Sequence, residues 1–197
     1  MNYATPFLAL FLAAASGFSE TRVTEMGKER FEANFPSGGA LRMKVRGGGV
    51  KIFGGDENKI LVRYEGDNAG QFKNVKVSLQ TTGTRGALEI SGGPRNEFRI
   101  VIQIPRKTAI EVRVPGGDLN VEGIEGDKDV ELTAGNLTLR AGNPQEYGPV
   151  DASVYAGGLS AGPFADSQGG LFNSFKHQGP GRYRLHAHVG AGDLTLK

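Results

Sequence analysis

The chain of 197 residues contains no cysteine and no tryptophan. The missing cysteines exclude disulfides, a thiolate-ligated zinc site, a thiol nucleophile and lipid attachment through sulfur. Neither sign of charge dominates: 23 Lys and Arg stand against 21 Asp and Glu, a formal net charge of +2. So small an excess gives no bulk attraction for nucleic acid, and none is expected as a partner. Long apolar runs are missing beyond the first residues, so no membrane span is expected in the mature chain; a spanning helix needs about 20 such residues. Short motifs for phosphate loops, dinucleotide binding, zinc proteases and calcium hands are also missing. The acids are scattered, and no glycosidase-type carboxylate pair stands out. No cofactor is implied.

Glycine, by contrast, is abundant, with 31 residues. It recurs between short stretches of alternating apolar and polar residues, which is the pattern of many short strands joined by tight turns. The first 17 residues read differently. Pro6 to Ala15 (PFLALFLAAA) is an apolar stretch followed by small residues, as in a secretory leader, with cleavage expected after Ala15 or Gly17. No Lys or Arg precedes this run. The expectation is a leader at 1–17 and one all-β domain at 18–197, exported to the periplasm, the cell surface or the medium.

Five segments align without gaps: Leu41–Ile52, Ile110–Val121, Lys128–Leu139, Val150–Ala161 and Leu185–Leu196. Each reads apolar-x-apolar-x-apolar, then a small residue and glycine, then apolar-x-apolar. The shared glycines are Gly48, Gly117, Gly135, Gly157 and Gly192. The residue after them is Gly, Asp or Asn in every copy, the set that tolerates positive φ. A sharp bend between two short strands is therefore expected at each. Period two assigns three inward columns. They are Val45, Val114, Leu132, Val154 and Val189; Val50, Leu119, Leu137, Leu159 and Leu194; and Ile52, Val121, Leu139, Ala161 and Leu196. One such unit cannot bury its apolar face alone, but stacked units can. The expected architecture is a β-solenoid or β-helix-like stack of short strands, continuous with an antiparallel sheet formed by residues 59–104. A sandwich or meander of hairpins fits the spacing too, since a loop at Arg46–Gly49 closes a hairpin equally well.

The Gly-Asp-Leu turns at Gly116–Val121 and Gly190–Leu196, with the strand end Ile102-Gln103-Ile104-Pro105 and the following Ile110-Glu111-Val112, resemble the bacterial putative-adhesin domain family over roughly 41–197. The resemblance implies an exported, solenoid-like β-protein with surface adhesion as its role. It supplies no binding residues to carry over.

Several motifs bear on chemistry. Gly158-Leu159-Ser160-Ala161-Gly162 matches a nucleophile elbow, but that motif needs a strand–turn–helix context, and Ser160 lies in an outward strand position. His186 and His188 have a two-residue spacing usable by a metal, with His177 as the remaining histidine; they align with solvent-facing polar residues in the other copies. Asp118, Asn136 and Asp193 sit where calcium-binding β-rolls place acids, yet turn geometry alone accounts for them. No metal site is assigned. The insertion 162–184 gathers Phe164, Phe172, Phe175, Lys176, His177, Arg182, Tyr183 and Arg184. Aromatics beside cations can stack on sugars or meet anions, and these eight are the candidate ligand-binding residues. The competing reading is a flap whose phenylalanines cover the core.

The expected function is thus that of a non-catalytic envelope or surface protein of adhesin-like type, in a binding or structural role with its ligand unassigned; a glycan or an envelope protein is the candidate partner. One alternative is a polysaccharide-active enzyme, for which Glu111, Arg113, Asp129, Glu131 and Asp151 would have to cluster on one outward face. Another is a structural protein that self-associates edge to edge through an open strand.

Overall fold

The computed structural model describes residues 20–66, 69–94, 98–164 and 168–197, with the side chains of 69–71 and 168–172 left aside. The leader at 1–17 lies outside these residues. Fifteen strands form one continuous sheet, and the described residues contain no α-helix. The strands are β1 (Glu20–Met26), β2 (Arg30–Asn34), β3 (Ala40–Val45), β4 (Gly49–Gly55), β5 (Lys59–Glu65), β6 (Val75–Thr82), β7 (Arg85–Gly92), β8 (Arg99–Pro105), β9 (Ala109–Val114), β10 (Gly117–Glu122), β11 (Lys128–Leu139), β12 (Tyr147–Ala161), β13 (Gln168–Gln178), β14 (Tyr183–Ala191) and β15 (Leu194–Leu196).

The five aligned segments lie side by side as parallel layers. Before the glycine, Leu41 pairs with Ile110, Ile110 with Lys128, Lys128 with Leu185, and Leu185 with Val150. After it, Val50 pairs with Leu119, Leu119 with Leu137, Leu137 with Leu194, and Leu194 with Leu159. These are the matches given by the gapless alignment. A slip of one residue would turn every aliphatic side chain outward, so burial fixes the register. All fifteen residues of the three inward columns are buried in one contiguous core.

The shared glycines are stacked as well. Their φ angles run from 108° at Gly117 to 142° at Gly157, where L side chains are strained. A Cβ on Gly135 would land on the carbonyl oxygen of Gly117, and one on Gly192 would land on that of Gly135. Each corner thus rests directly on the backbone of the layer beside it. The residue after the glycine tightens this contact. Asn136 donates to Asp118 at 2.9 Å, and the Gly158 amide donates to Asp193 at 2.9 Å.

Two features depart from the sequence expectation. The spatial order of the segments is first, second, third, fifth, fourth. A solenoid in which each coil lies on the one before it does not describe this order. The insertion explains it. After β12 the chain returns as β13, antiparallel along the outer side of both halves of β12, and then enters as β14 between β11 and β12.

The second departure is a sixth layer. Strands β7 and β8 pair parallel to β3 and β4, Leu88 beside Met43 and Ile100 beside Val50. Antiparallel pairing, expected throughout 59–104, is confined to β1–β6–β7 and β2–β5–β8 at this end of the stack.

Candidate functional site

The eight insertion residues divide into two groups. Phe175 and His177 lie opposite the buried Ala152 and Val150, so they face the core side. Phe164, Phe175 and Tyr183 pack against the core as half-buried residues. Phe164 meets the buried Tyr147 edge-on with ring centroids 6.0 Å apart, and His177 lies 5.5 Å from Phe164 and 6.4 Å from Phe175. Together they form a lid beside Tyr147. Lys176 points outward and pairs with Asp151 at 3.4 Å. The Arg182 guanidinium covers the Tyr183 ring at 4.7 Å, and Arg184 is held through its backbone amide by Asp127 at 2.9 Å. The Phe172 side chain lies outside the described residues.

Beneath this lid is a group that period two does not anticipate. Lys128 occupies an inward position, in the column of Leu41, Ile110, Leu185 and Val150, and is only 2% exposed. Its Nζ donates to the Gly126 carbonyl at 3.1 Å and to the Tyr147 hydroxyl, and it lies 4.8 Å from the Tyr147 ring centre. Burial lowers its pKa to about 8, although Glu146, Asp127 and Glu125 pull the other way. The Tyr147 hydroxyl donates in turn to Ala141 O at 2.9 Å, and burial raises its pKa well beyond the ordinary phenol range. Lys in the first position of Lys128–Leu139, where the other segments have Leu, Ile or Val, is the one sequence signal for this arrangement.

The outward positions of β9, β11 and β14 form charged rows. Arg113 pairs with three of the acids. It grips both oxygens of Asp129 at 3.0 and 3.1 Å, reaches Glu131 at 3.1 Å, and lies 3.6 Å from Glu111, which also takes Arg42 at 2.8 Å. Four of the five residues named for an enzyme site therefore do meet, but as an ion-pair network around a guanidinium; Asp151 is engaged by Lys176 instead. Asp129, Glu131 and His186 bring ligand atoms within 4.8 Å of one another. Arg113 already supplies a cation to both carboxylates. His188 Nδ1 is 2.9 Å from Ser153 Oγ, and His177 faces the other side of the sheet, so the three histidines do not converge. Ser160 is a strand residue beside Thr195, and a turn at 162–164 follows the end of β12 where an elbow requires a helix.

The outer surface of the sheet from β1 to β11 is uneven, and three adjoining open hollows run along it. One, of about 660 Å³, is lined by Arg42, Gln80, Thr82, Arg85, Ala87 and Glu111, among others. A second adds Arg22, Lys44, Ser78 and Glu89, and a third extends to Arg113, Glu131 and Thr133. The register explains the depth. Ala40, Ala87 and Ala109 stand at outward positions among long side chains, and their methyl groups form a floor. Sequence reading missed this trough because its lining comes from strands far apart in the chain.

No family model matches the chain, and comparison with curated proteins finds no match. Among solved structures, a putative cell adhesion protein from Clostridium sporogenes is similar, with a TM-score of 0.53 and 15% identity over 91% of this chain and 100% of the other. At that identity the likeness establishes a shared all-β fold.

Proposed function

We propose that this protein is a non-catalytic, adhesin-like binding module of the bacterial envelope or cell surface, built on a β-solenoid-like scaffold and presenting the row of hollows on its outer face to a ligand. The observation that carries the reading is the trough. Continuous strand pairing from β1 through β6, β7, β3 and β9 to β11 holds its polar side chains on hydrogen-bonded backbone, which lowers the ordering cost of binding. A leader at residues 1–17 would deliver the chain to that compartment. The likeness to a protein described as a cell adhesion protein agrees with the reading. Within it, Phe164, Phe175 and Tyr183 pack against the core, while Lys176 and Arg184 are exposed.

The test is a binding assay of residues 18–197 against isolated envelope fractions and immobilised glycans. Saturable binding without release of new reducing ends supports the proposal. Absence of saturable binding to any fraction or glycan removes it.

A second reading, hydrolysis of a polysaccharide, has one observation in its favour, the Ser153–His188 contact. Among the described residues no acid hydrogen-bonds the other imidazole nitrogen, so the orienting group of a triad is not in place. Release of reducing ends that disappears in Ser153→Ala would establish this reading instead.

A further inference from the structure

We infer that the trough recognises a linear acidic polysaccharide, with Arg22, Lys44 and Arg85 supplying the charge contacts; the inference rests on the binding role proposed above.

The lining of the three hollows includes six cations, Arg22, Arg42, Lys44, Arg46, Arg85 and Arg113, and three carboxylates, Glu89, Glu111 and Glu131. Asp129, bound to Arg113, and Glu20, which takes the Gln80 amide, adjoin the same face, so what matters is which of the cations are unpaired. The cations differ in how they are used. Arg42 and Arg113 are neutralised by Glu111, Asp129 and Glu131. Arg22, Lys44 and Arg85 have no ion pair within 4.0 Å among the described residues, and all three are exposed. They come from three strands, β1, β3 and β7, and frame the alanine floor rather than scatter over the surface.

The rest of the lining narrows the ligand. Ser78, Gln80 and Thr82 on β6, between β1 and β7, add an amide and hydroxyls, groups that suit sugar hydroxyls; the Gln80 amide also donates to Glu20, and Ser78 Oγ meets Thr24 Oγ1 at 3.0 Å. No aromatic residue lines any of the three hollows, so there is no platform for stacking nucleobases. The hollow is floored by methyl groups, whereas insertion into a bilayer surface needs protruding apolar side chains. An open trough with spaced cations, hydroxyls and a smooth floor accommodates a flexible chain of carboxylated sugars lying across the strands. Glu89, between Ser78 and Lys44 in the pairing, has no cation within 4.0 Å among the described residues and opposes such a ligand locally.

The probe is polygalacturonate, with dextran as the neutral control, titrated against the 18–197 protein at low and high salt. Three variants are compared: Arg22→Gln/Lys44→Gln/Arg85→Gln in the trough, Lys28→Gln/Lys73→Gln/Lys107→Gln as a charge-matched control elsewhere on the surface, and Glu89→Gln. The expected result is salt-sensitive binding of polygalacturonate that weakens about tenfold or more in the trough variant, is unchanged within about twofold in the control, and tightens in Glu89→Gln. Equal weakening in the two triple variants overturns the assignment of the trough. Saturable binding of dextran or of an envelope protein, with none of polygalacturonate, overturns the acidic ligand and leaves the binding role standing. Binding of single-stranded DNA or anionic vesicles as tightly as polygalacturonate overturns the choice of ligand class. No binding to any probe or envelope fraction overturns both this inference and the binding role itself.

Discussion

Replacing Lys128 with methionine should make the protein more stable, and the gain should depend on pH in a way that identifies its cause. The buried ammonium has a pKa of about 8 in the folded protein, against 10.5 when exposed. Below pH 8 both states carry the charge, and burial costs the folded state about 3 kcal/mol, from roughly 1.4 kcal/mol per pKa unit. As pH rises from 8 toward 10.5 the folded protein loses this proton before the unfolded chain does. The unfolded state then binds more protons, so stability rises with pH. Tyr147 acts in the opposite sense only above its ordinary pKa of 10, because its folded value is raised. The window from pH 8 to 10 therefore reports on Lys128.

Methionine fills a similar volume beside Ile110 and Leu185 and removes the charge. It leaves the Gly126 carbonyl without its Nζ partner, a loss of about 1 kcal/mol. The net expectation is a gain of about 2 kcal/mol at pH 7, or about 4–8 °C in melting temperature for a domain of this size. Urea unfolding at pH 7, 8, 9 and 10 tests both parts. The natural protein should gain about 2–3 kcal/mol between pH 8 and 10, and Lys128→Met should show a flat profile. A natural protein with no alkaline gain, or a variant less stable at pH 7 by the cost of a core cavity, would refute the reasoning.

Three further perturbations separate other parts of the structure. Gly135→Ala forces a side chain into strained backbone and onto the Gly117 carbonyl, so a loss of about 3 kcal/mol or no folded protein is expected; Gly142→Ala, also at positive φ but with open space around it, should cost about 1 kcal/mol by the same denaturation assay. Arg113→Gln leaves Glu111, Asp129 and Glu131 without their shared cation; a loss of about 1 kcal/mol is expected, and it should shrink when the melt is repeated in high salt. Phe164→Ala opens the lid beside Tyr147, which should cost about 1–3 kcal/mol and, by letting water reach Lys128, reduce the alkaline gain measured above.

The parts of this fold that could be read in the sequence are those governed by local physics. Alternation put Leu119, Leu137, Leu159 and Leu194 inside, and glycine followed by Gly, Asp or Asn marked each bend; both inferences need only nearest neighbours in the chain. Which segment lies beside which is decided by long-range pairing, and parity carries no information about it. That is why β14 was not foreseen between β11 and β12. The sixth layer escaped because its two halves are offset from β3 and β4 by 45 and 50 residues respectively, so the corner is longer and a gapless comparison cannot align both. The candidate site was harder still. Ala40, Ala87 and Ala109 are unremarkable singly, and they become a floor only when β3, β7 and β9 are adjacent. The aromatic insertion attracted attention by composition, yet composition cannot tell a ring facing a ligand from a ring facing the core.

The entry of β14 between two older neighbours sets the order in which this molecule can be completed. The hairpin of β12 and β13 is joined to the rest of the sheet through β14 and β15 alone. Until residues 183–196 are available, one flank of β11 stays open and the hairpin hangs on its tether. Loss of the β14 and β15 pairing would therefore detach both β12 and β13 from the rest of the sheet.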